Sequence, residues 1–375
     1  MLGKIFRLDW ILITAVLLLL GVGLLALYSI SVSEKISAGE MTFFGKQLAA
    51  FAVGIIVMFI FSLVDYHNFK SHSKIIYFLM IVVLLLVLIK GSLVRGTTGW
   101  ISIGFFNFQP VEMAKVLLIL SLASFITKSK AMLSEITRLV ASFFITGVVI
   151  LLVLLQPDFG SALVLMAILI TMLFLSGIEW KYLAVIFCLG LFSLIVIWFL
   201  LADYQKNRII NFINPENDPK GSGYNVIQSM VAVGSGGLTG KGLGHGSQSQ
   251  LNFLPENHTD FIFAVIVEEF GVLGSGVVII LLVIIFYRLK KIAQIAMDNL
   301  GYLIVAGSMA MFFVQVVVNI GMNIGVMPVT GIPLIFLSYG GSSLVVSFMT
   351  IGIVNNIFLV SRRNLETRIK TGDDF

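Results

Sequence analysis

A few ionisable side chains stand where an apolar chain has little reason to place them. Asp260 sits where the polar string HTD meets the apolar string FIFAVIV, and no lysine or arginine lies within one helical turn of it. A carboxylate at a boundary between water and an apolar phase has its pKa raised by partial desolvation, which suits a general base. The same position also suits an ordinary helix N-cap. Glu112 and Lys115 are spaced i, i+3, so a helix puts both on one face, either as a self-neutralising ion pair or as working groups. Asp158 follows Pro157 and precedes an apolar run, which reads first as an N-cap. Glu268 and Glu269 lie about two turns beyond Asp260, so one of them must face the interior. Arg95, Arg208, Lys220 and Lys241 are of the type that meets phosphate, and equally of the type that anchors at lipid headgroups. His245 and His258 lack a metal-ligand spacing and read first as solvated loop residues.

The elements that must position these groups are membrane helices. The 375-residue chain is 58% hydrophobic and only 11% charged, against about 25% charged in a typical soluble domain. That excludes a soluble enzyme and a disordered scaffold, and a net charge of +5 leaves no basic domain for nucleic acid. The single Cys188 excludes a disulfide framework and a multi-cysteine zinc site. Runs long enough for a bilayer core fall near Trp10 to Ile30, Phe44 to Val64, Ile75 to Leu88, Val111 to Ile126, Leu139 to Leu155, Ser161 to Leu175, Tyr182 to Leu201, Phe261 to Phe286, Tyr302 to Ile324 and Leu334 to Val360. The expectation is an all-α integral membrane protein of about ten spans, forming one membrane domain over residues 1–375. The first run is too long for a signal-peptide core and reads as a retained anchor.

With Lys4 and Arg7 in the cytoplasm, fifteen of the 24 basic residues fall on the inner side, so the positive-inside rule places both termini there. Outside then lie the segment from Lys90 to Pro110, the turn at Gln156 to Asp158, a large loop over 203–260 between spans seven and eight, and the polar stretch near Gly331 to Ser343. A connection of that length is expected to be functional. Its glycine-rich part, GSGGLTGKGLGHGSQSQ from Gly234 to Gln250, suggests backbone lying close to a ligand or the membrane surface.

The string QSQLNFLPENHTDFIFAVIVEEFG from Gln248 to Gly271 closely resembles the signature of the SEDS family (shape, elongation, division and sporulation). Further stretches agree in order: GWISIGFFNFQPVEMAK from Gly99, QPDFGSA from Gln156, NPENDPKGSGYNVIQS ending in Gln228 and Ser229, GSGGLTGKG from Gly234, and PLIFLSYGGSS from Pro333. The resemblance covers essentially the whole chain and leans toward the elongation type. It implies a peptidoglycan glycosyltransferase that polymerises lipid II at the outer face of the cytoplasmic membrane, with Asp260 as the catalytic residue. Glu112, Lys115 and Asp158 map onto functionally important family positions. The family implies partnership with a class B penicillin-binding protein, a transpeptidase, and with other membrane proteins of the elongation machinery. Arg208, Lys241 or a divalent cation, magnesium or manganese, would offset charge on the departing pyrophosphate, with no metal ligands assigned. Gln228, Ser229, His258, Glu268, Glu269 and Arg95 are the expected supports of substrate or structure. Gly99 stands where relatives often carry arginine, and Arg95 is near enough to substitute. The competing expectations are a lipid II flippase, for which Glu112 and Lys115 would line a polar pathway, and the division-type branch of the same family.

Overall fold

The computed structural model describes residues 6–33, 43–94, 97–103, 106–179, 222–251 and 253–371, with 181, 182, 184 and 206 as single positions. Its helices are α1 (Trp10–Ser33), α2 (Phe43–Leu63), α3 (His67–Ser71), α4 (Ser73–Lys90), α5 (Pro110–Ser129), α6 (Glu135–Leu154), α7 (Phe159–Leu175), α8 (Ser222–Ser235), α9 (Ser247–Gln250), α10 (Ile262–Ile295), α11 (Asn299–Asn323) and α12 (Gly341–Thr371). Eight of them, α1, α2, α4, α5, α6, α10, α11 and α12, are long and apolar enough to cross a membrane. At 17 residues α7 is shorter, and it packs along α11. The seventh expected run lies almost wholly outside the described residues, as do Arg95, Arg208 and Lys220.

Two expected boundaries change. The run from Leu334 is not helical until Gly341; its first residues form a buried turn in which Phe336 takes a φ of 60°. The segment after α4 is a meander of three antiparallel strands, β1 (Ser92–Val94), β2 (Thr97–Ile103) and β3 (Phe106–Phe108), with Ile101 opposite Phe108 and Ile103 opposite Phe106. Alternating aromatic and β-branched residues favour that pairing locally, whereas an all-helical reading passes over so short a sheet.

Side chains sort by what surrounds each helix. The centre is formed by α5, α11 and α12, the most enclosed spans, while α4, α6 and α10 turn Phe78, Phe144 and Val283 outward, as lipid-facing helices do. The two ends of the bundle differ in charge. At one end Arg288 forms a two-pronged ion pair with buried Asp9, Tyr66 donates to Asp298 at 2.8 Å, and Lys128 reaches the carbonyl of Lys70. Burial, and then the bond to Asp298, push the Tyr66 phenol well above its usual range. At the opposite end lie the N-termini of α5, α7, α10 and α12.

The glycine-rich stretch has the backbone of a broken helix as its partner. Within α10, Gly271 leaves helical geometry (φ 68°, ψ −164°), which strips neighbouring peptide groups of helical partners. Lys241 N–H and Gly242 N–H donate to the carbonyls of Glu268 and Glu269, and the N–H groups of Val272 and Leu273 donate to Gly237 and Leu238. A broken helix inside an apolar phase requires such replacement bonds. Glycine is required for the approach: a Cβ on Gly240 would lie 2.1 Å from the Glu269 carbonyl oxygen, and one on Gly236 would lie 2.0 Å from that of Val267.

Candidate active site

Asp260 ends a tight turn that begins at Glu256, whose φ of 54° lies in the left-handed region. The Glu256 carbonyl accepts from the N–H groups of Thr259 and Asp260, which fixes the chain as it enters α10. The N-cap position of that helix is Phe261, with no side-chain cap bond, so Asp260 is not the N-cap. Its own carbonyl is gripped by two amides from α11: Asn319 Nδ2 donates at 3.1 Å and Asn323 Nδ2 at 2.9 Å. Both asparagines are fully buried. Asn319 also donates to Ile332 O, and Asn323 Oδ1 accepts from Ala264 N–H. One pair of side chains, four residues apart on one face, thus ties the turn before α10 to the segment after α11.

The turn at 334–340 packs beside it. Ser338 Oγ donates to Thr259 O at 2.6 Å, and Tyr339 N–H donates to His258 O. From α2, Gln47 donates to Ser338 O and accepts from Gly340 N–H. Ser342 Oγ accepts from Gln109 N–H and donates to Asn107 O, joining the meander to the start of α12.

These elements enclose a cavity of about 150 Å³ that Asp158 and Asp260 line together, with Gln109, Thr330, Tyr339 and Trp100 among its walls. Asp158 is an N-cap as its sequence suggests, accepting from Ser161 N–H at 2.9 Å and Ser161 Oγ at 2.8 Å, yet it also faces the cavity. Among the described residues, no lysine or arginine lines this space.

Glu112 and Lys115 stand on α5, one turn from Gln109. They close on each other at 2.7 Å with both side chains at most 5% exposed, and neither lines the cavity. Each charge is thus neutralised within α5.

Lys241 lies apart from the residues that line the Asp260 cavity and donates to Glu268 Oε1 at 2.9 Å, as the counter-ion of that carboxylate. Glu268 further accepts from the N–H groups of Gln248 and Ser249. Glu269 accepts from Ser29 Oγ, Gln250 Nε2 and Gly244 N–H. Adjacent helical positions point about 100° apart, so packing of a single helix face does not by itself enclose two neighbouring carboxylates. Both are buried because the folded-back glycine-rich segment covers the second. His258 stacks on Phe43 with centroids 3.9 Å apart. His245 stays exposed. Among the described residues, no three His, Cys, Asp or Glu side chains gather where they could hold a metal. Ser229 is buried and donates to Asn323 O, while Gln228 beside it is half-buried on α8. Gly99 lies on β2 with its Cβ position 3.2 Å from Gln156 Oε1.

Sequence reasoning missed Asn319, Asn323 and Gln47. The available signal was two asparagines at i, i+4 within an apolar helix, where uncompensated amides are costly.

Comparison with known proteins gives concordant results. The family model of the FtsW, RodA and SpoVE cell cycle proteins matches residues 9–363. Peptidoglycan glycosyltransferase MrdB of Escherichia coli strain K12 is 37% identical over 337 residues, covering 89% of this chain and 90% of its own. Among solved structures, a chain from a peptidoglycan synthase complex that coordinates polymerization and crosslinking superposes with a TM-score of 0.77 at 31% identity, covering 95% of this chain and 98% of that one. Rod shape determining protein RodA of Thermus thermophilus superposes with a TM-score of 0.70 at 28% identity, covering 95% and 97%.

Proposed function

Because the chain belongs to the FtsW, RodA and SpoVE family, and is a peptidoglycan glycosyltransferase of the RodA type, we propose that it polymerises lipid II outside the cytoplasmic membrane with Asp260 as general base. The observation that carries this reading is the shared cavity: two carboxylates 102 positions apart in sequence line one space, at the end of the bundle away from the basic loops. Cytoplasmic loops carry the excess of lysine and arginine, which supports an outward-facing cavity.

Both polyprenyl-linked substrates stay in the bilayer, so their sugars must be met at a polar cavity with lipid beside it. The 4-hydroxyl of an acceptor GlcNAc attacks the anomeric carbon of a donor MurNAc with inversion, and undecaprenyl pyrophosphate leaves. Asp260 takes the hydroxyl proton. Its carboxylate keeps its aim because Asn319 and Asn323 hold its carbonyl and Glu256 holds its N–H. Asp158 has acceptor capacity beyond Ser161 and Gln109. With substrate phosphate and water it would hold a magnesium or manganese ion, which would supply positive charge for the departing pyrophosphate. Since a chain of similar structure comes from a complex that coordinates polymerization and crosslinking, a class B penicillin-binding transpeptidase is the proposed partner, and cell elongation the proposed setting.

The test is incubation of the purified chain with labelled lipid II, alone and with its transpeptidase partner, followed by gel separation. Glycan polymer is expected. A translocase would yield none, and translocation in liposomes without polymer would overturn the reading.

A further inference from the structure

A second and larger cavity, of about 500 Å³, lies between α4, α5 and α6 at the end of the bundle opposite Asp260. Its volume falls within the range of roughly 300 to 1,000 Å³ typical of ligand pockets. Tyr77, Phe125 and Ile145 wall it, Lys74 and Lys128 stand on its lining, and no acidic side chain does among the described residues. Tyr77 bridges α4 to α6 by donating to Ile145 O at 2.9 Å, so the wall is braced by its own bond. Deep on α5, Ser121 lines the space; it is 5% exposed, and its hydroxyl has no hydrogen-bond partner. Seven residues before Ile145, and so on the same face of α6, Arg138 is buried with its Nε also lacking a partner.

An apolar chamber with cations at one end matches a molecule that is apolar along its length and anionic at its tip. We propose that this cavity binds an anionic glycerophospholipid of the leaflet opposite the catalytic cavity. An acyl chain lies against Tyr77, Phe125 and Ile145, and the phosphate is met by Lys74 and Lys128. Such basic pockets between membrane helices are suited to anionic headgroups, and the chain's apolar surface supplies the remaining contact. The site is separate from the sugar chemistry: α5 carries Ser121 and Lys128 toward one end and Glu112 and Gln109 toward the other, so an occupied chamber would stiffen the helix that bears the ion pair.

The experiment uses the full chain in nanodiscs containing phosphatidylglycerol with a photoactivatable acyl chain, compared with identically labelled phosphatidylcholine. Crosslinked peptides are mapped by mass spectrometry. Peptides holding Tyr77, Phe125 or Ile145 should label about 25-fold more with phosphatidylglycerol, since each of the two lysines near an anionic headgroup adds attraction worth about fivefold. Lys74→Gln with Lys128→Gln should bring the ratio near unity, and Ser121→Phe, which fills the chamber, should abolish labelling by both lipids. Glycerol 3-phosphate should not compete. Equal labelling of the unmodified chain by both lipids, or labelling undiminished in Ser121→Phe, overturns the proposal; full competition by glycerol 3-phosphate assigns the site to a soluble phosphate instead. The ratio measured on the unmodified chain decides the matter even if a variant fails to fold.

Discussion

Asn323 on α11 donates to the main-chain carbonyl of Asp260 at 2.9 Å, spanning 63 residues of sequence, while its own carbonyl oxygen accepts from Ser229 of α8. The residue that would take the proton is therefore aimed by an amide from a different span. Replacing Asn323 with leucine leaves Ala264 N–H and half of the grip on Asp260 unsatisfied, and each buried orphan costs about 1 to 3 kcal/mol. Asn319→Leu keeps the Asn323 bond to Asp260 and should be milder in activity. The expected result is a loss of polymerisation per folded molecule larger for Asn323→Leu, together with a lower melting temperature. Comparing gel-resolved glycan from equal amounts of folded variants checks it.

The Glu112–Lys115 pair makes a prediction about stability. Removing one partner of a buried ion pair strands the other charge, at a cost of about 3 to 5 kcal/mol, whereas replacing both with residues of similar volume is far cheaper. Lys115→Ala should melt well below the parent, and Glu112→Gln combined with Lys115→Met should melt above either single variant. Additive losses in detergent-solubilised protein would rule out the pairing.

Gly240 takes a φ of 78° and has no room for a Cβ. Gly240→Ala should therefore strain the clamp on the α10 break, by about 1 to 3 kcal/mol or more. Hydrogen exchange reads this directly: the amides of Gly242 and Val272 should lose protection first, before those of α11.

Much of this arrangement is legible in the sequence, and the remainder is hidden for identifiable reasons. Apolar runs announce spans because a bilayer admits few alternatives, and Asp158 and Asp260 stand out because charge beside such runs is rare. Nothing local shows that they share a cavity, which depends on how α7 and α10 pack. Asn319 and Asn323 look like mere cost inside an apolar run until their distant carbonyl partners are known. The partners of Lys241 and of the glycines around it are hidden, since a sequence does not show that the helix they pack against is broken at Gly271. The meander after α4 is concealed by its short strands.

Asp158 has two roles that substitution can separate. Asparagine caps a helix about as well as aspartate, so Asp158→Asn should keep the melting temperature close to the parent's. Any fall in polymerisation then reports the lost charge in the cavity. Asp158→Ala should lower both, with about 0.5 to 2 kcal/mol lost from the cap. Thermal melts alongside polymerisation assays at graded magnesium and manganese concentrations distinguish the two effects.

Asp260→Asn bears most directly on the proposed chemistry, because it preserves size and removes the proton acceptor while the main-chain bonds from Asn319 and Asn323 stay available. Glycan formed from labelled lipid II is measured for equal amounts of folded parent and variant in the presence of the transpeptidase partner. The expected fall is about 10²- to 10⁴-fold, the usual loss on removing acid–base assistance, with lipid II binding and partner binding retained. Polymer from the variant at the parent's rate would contradict Asp260 as the base.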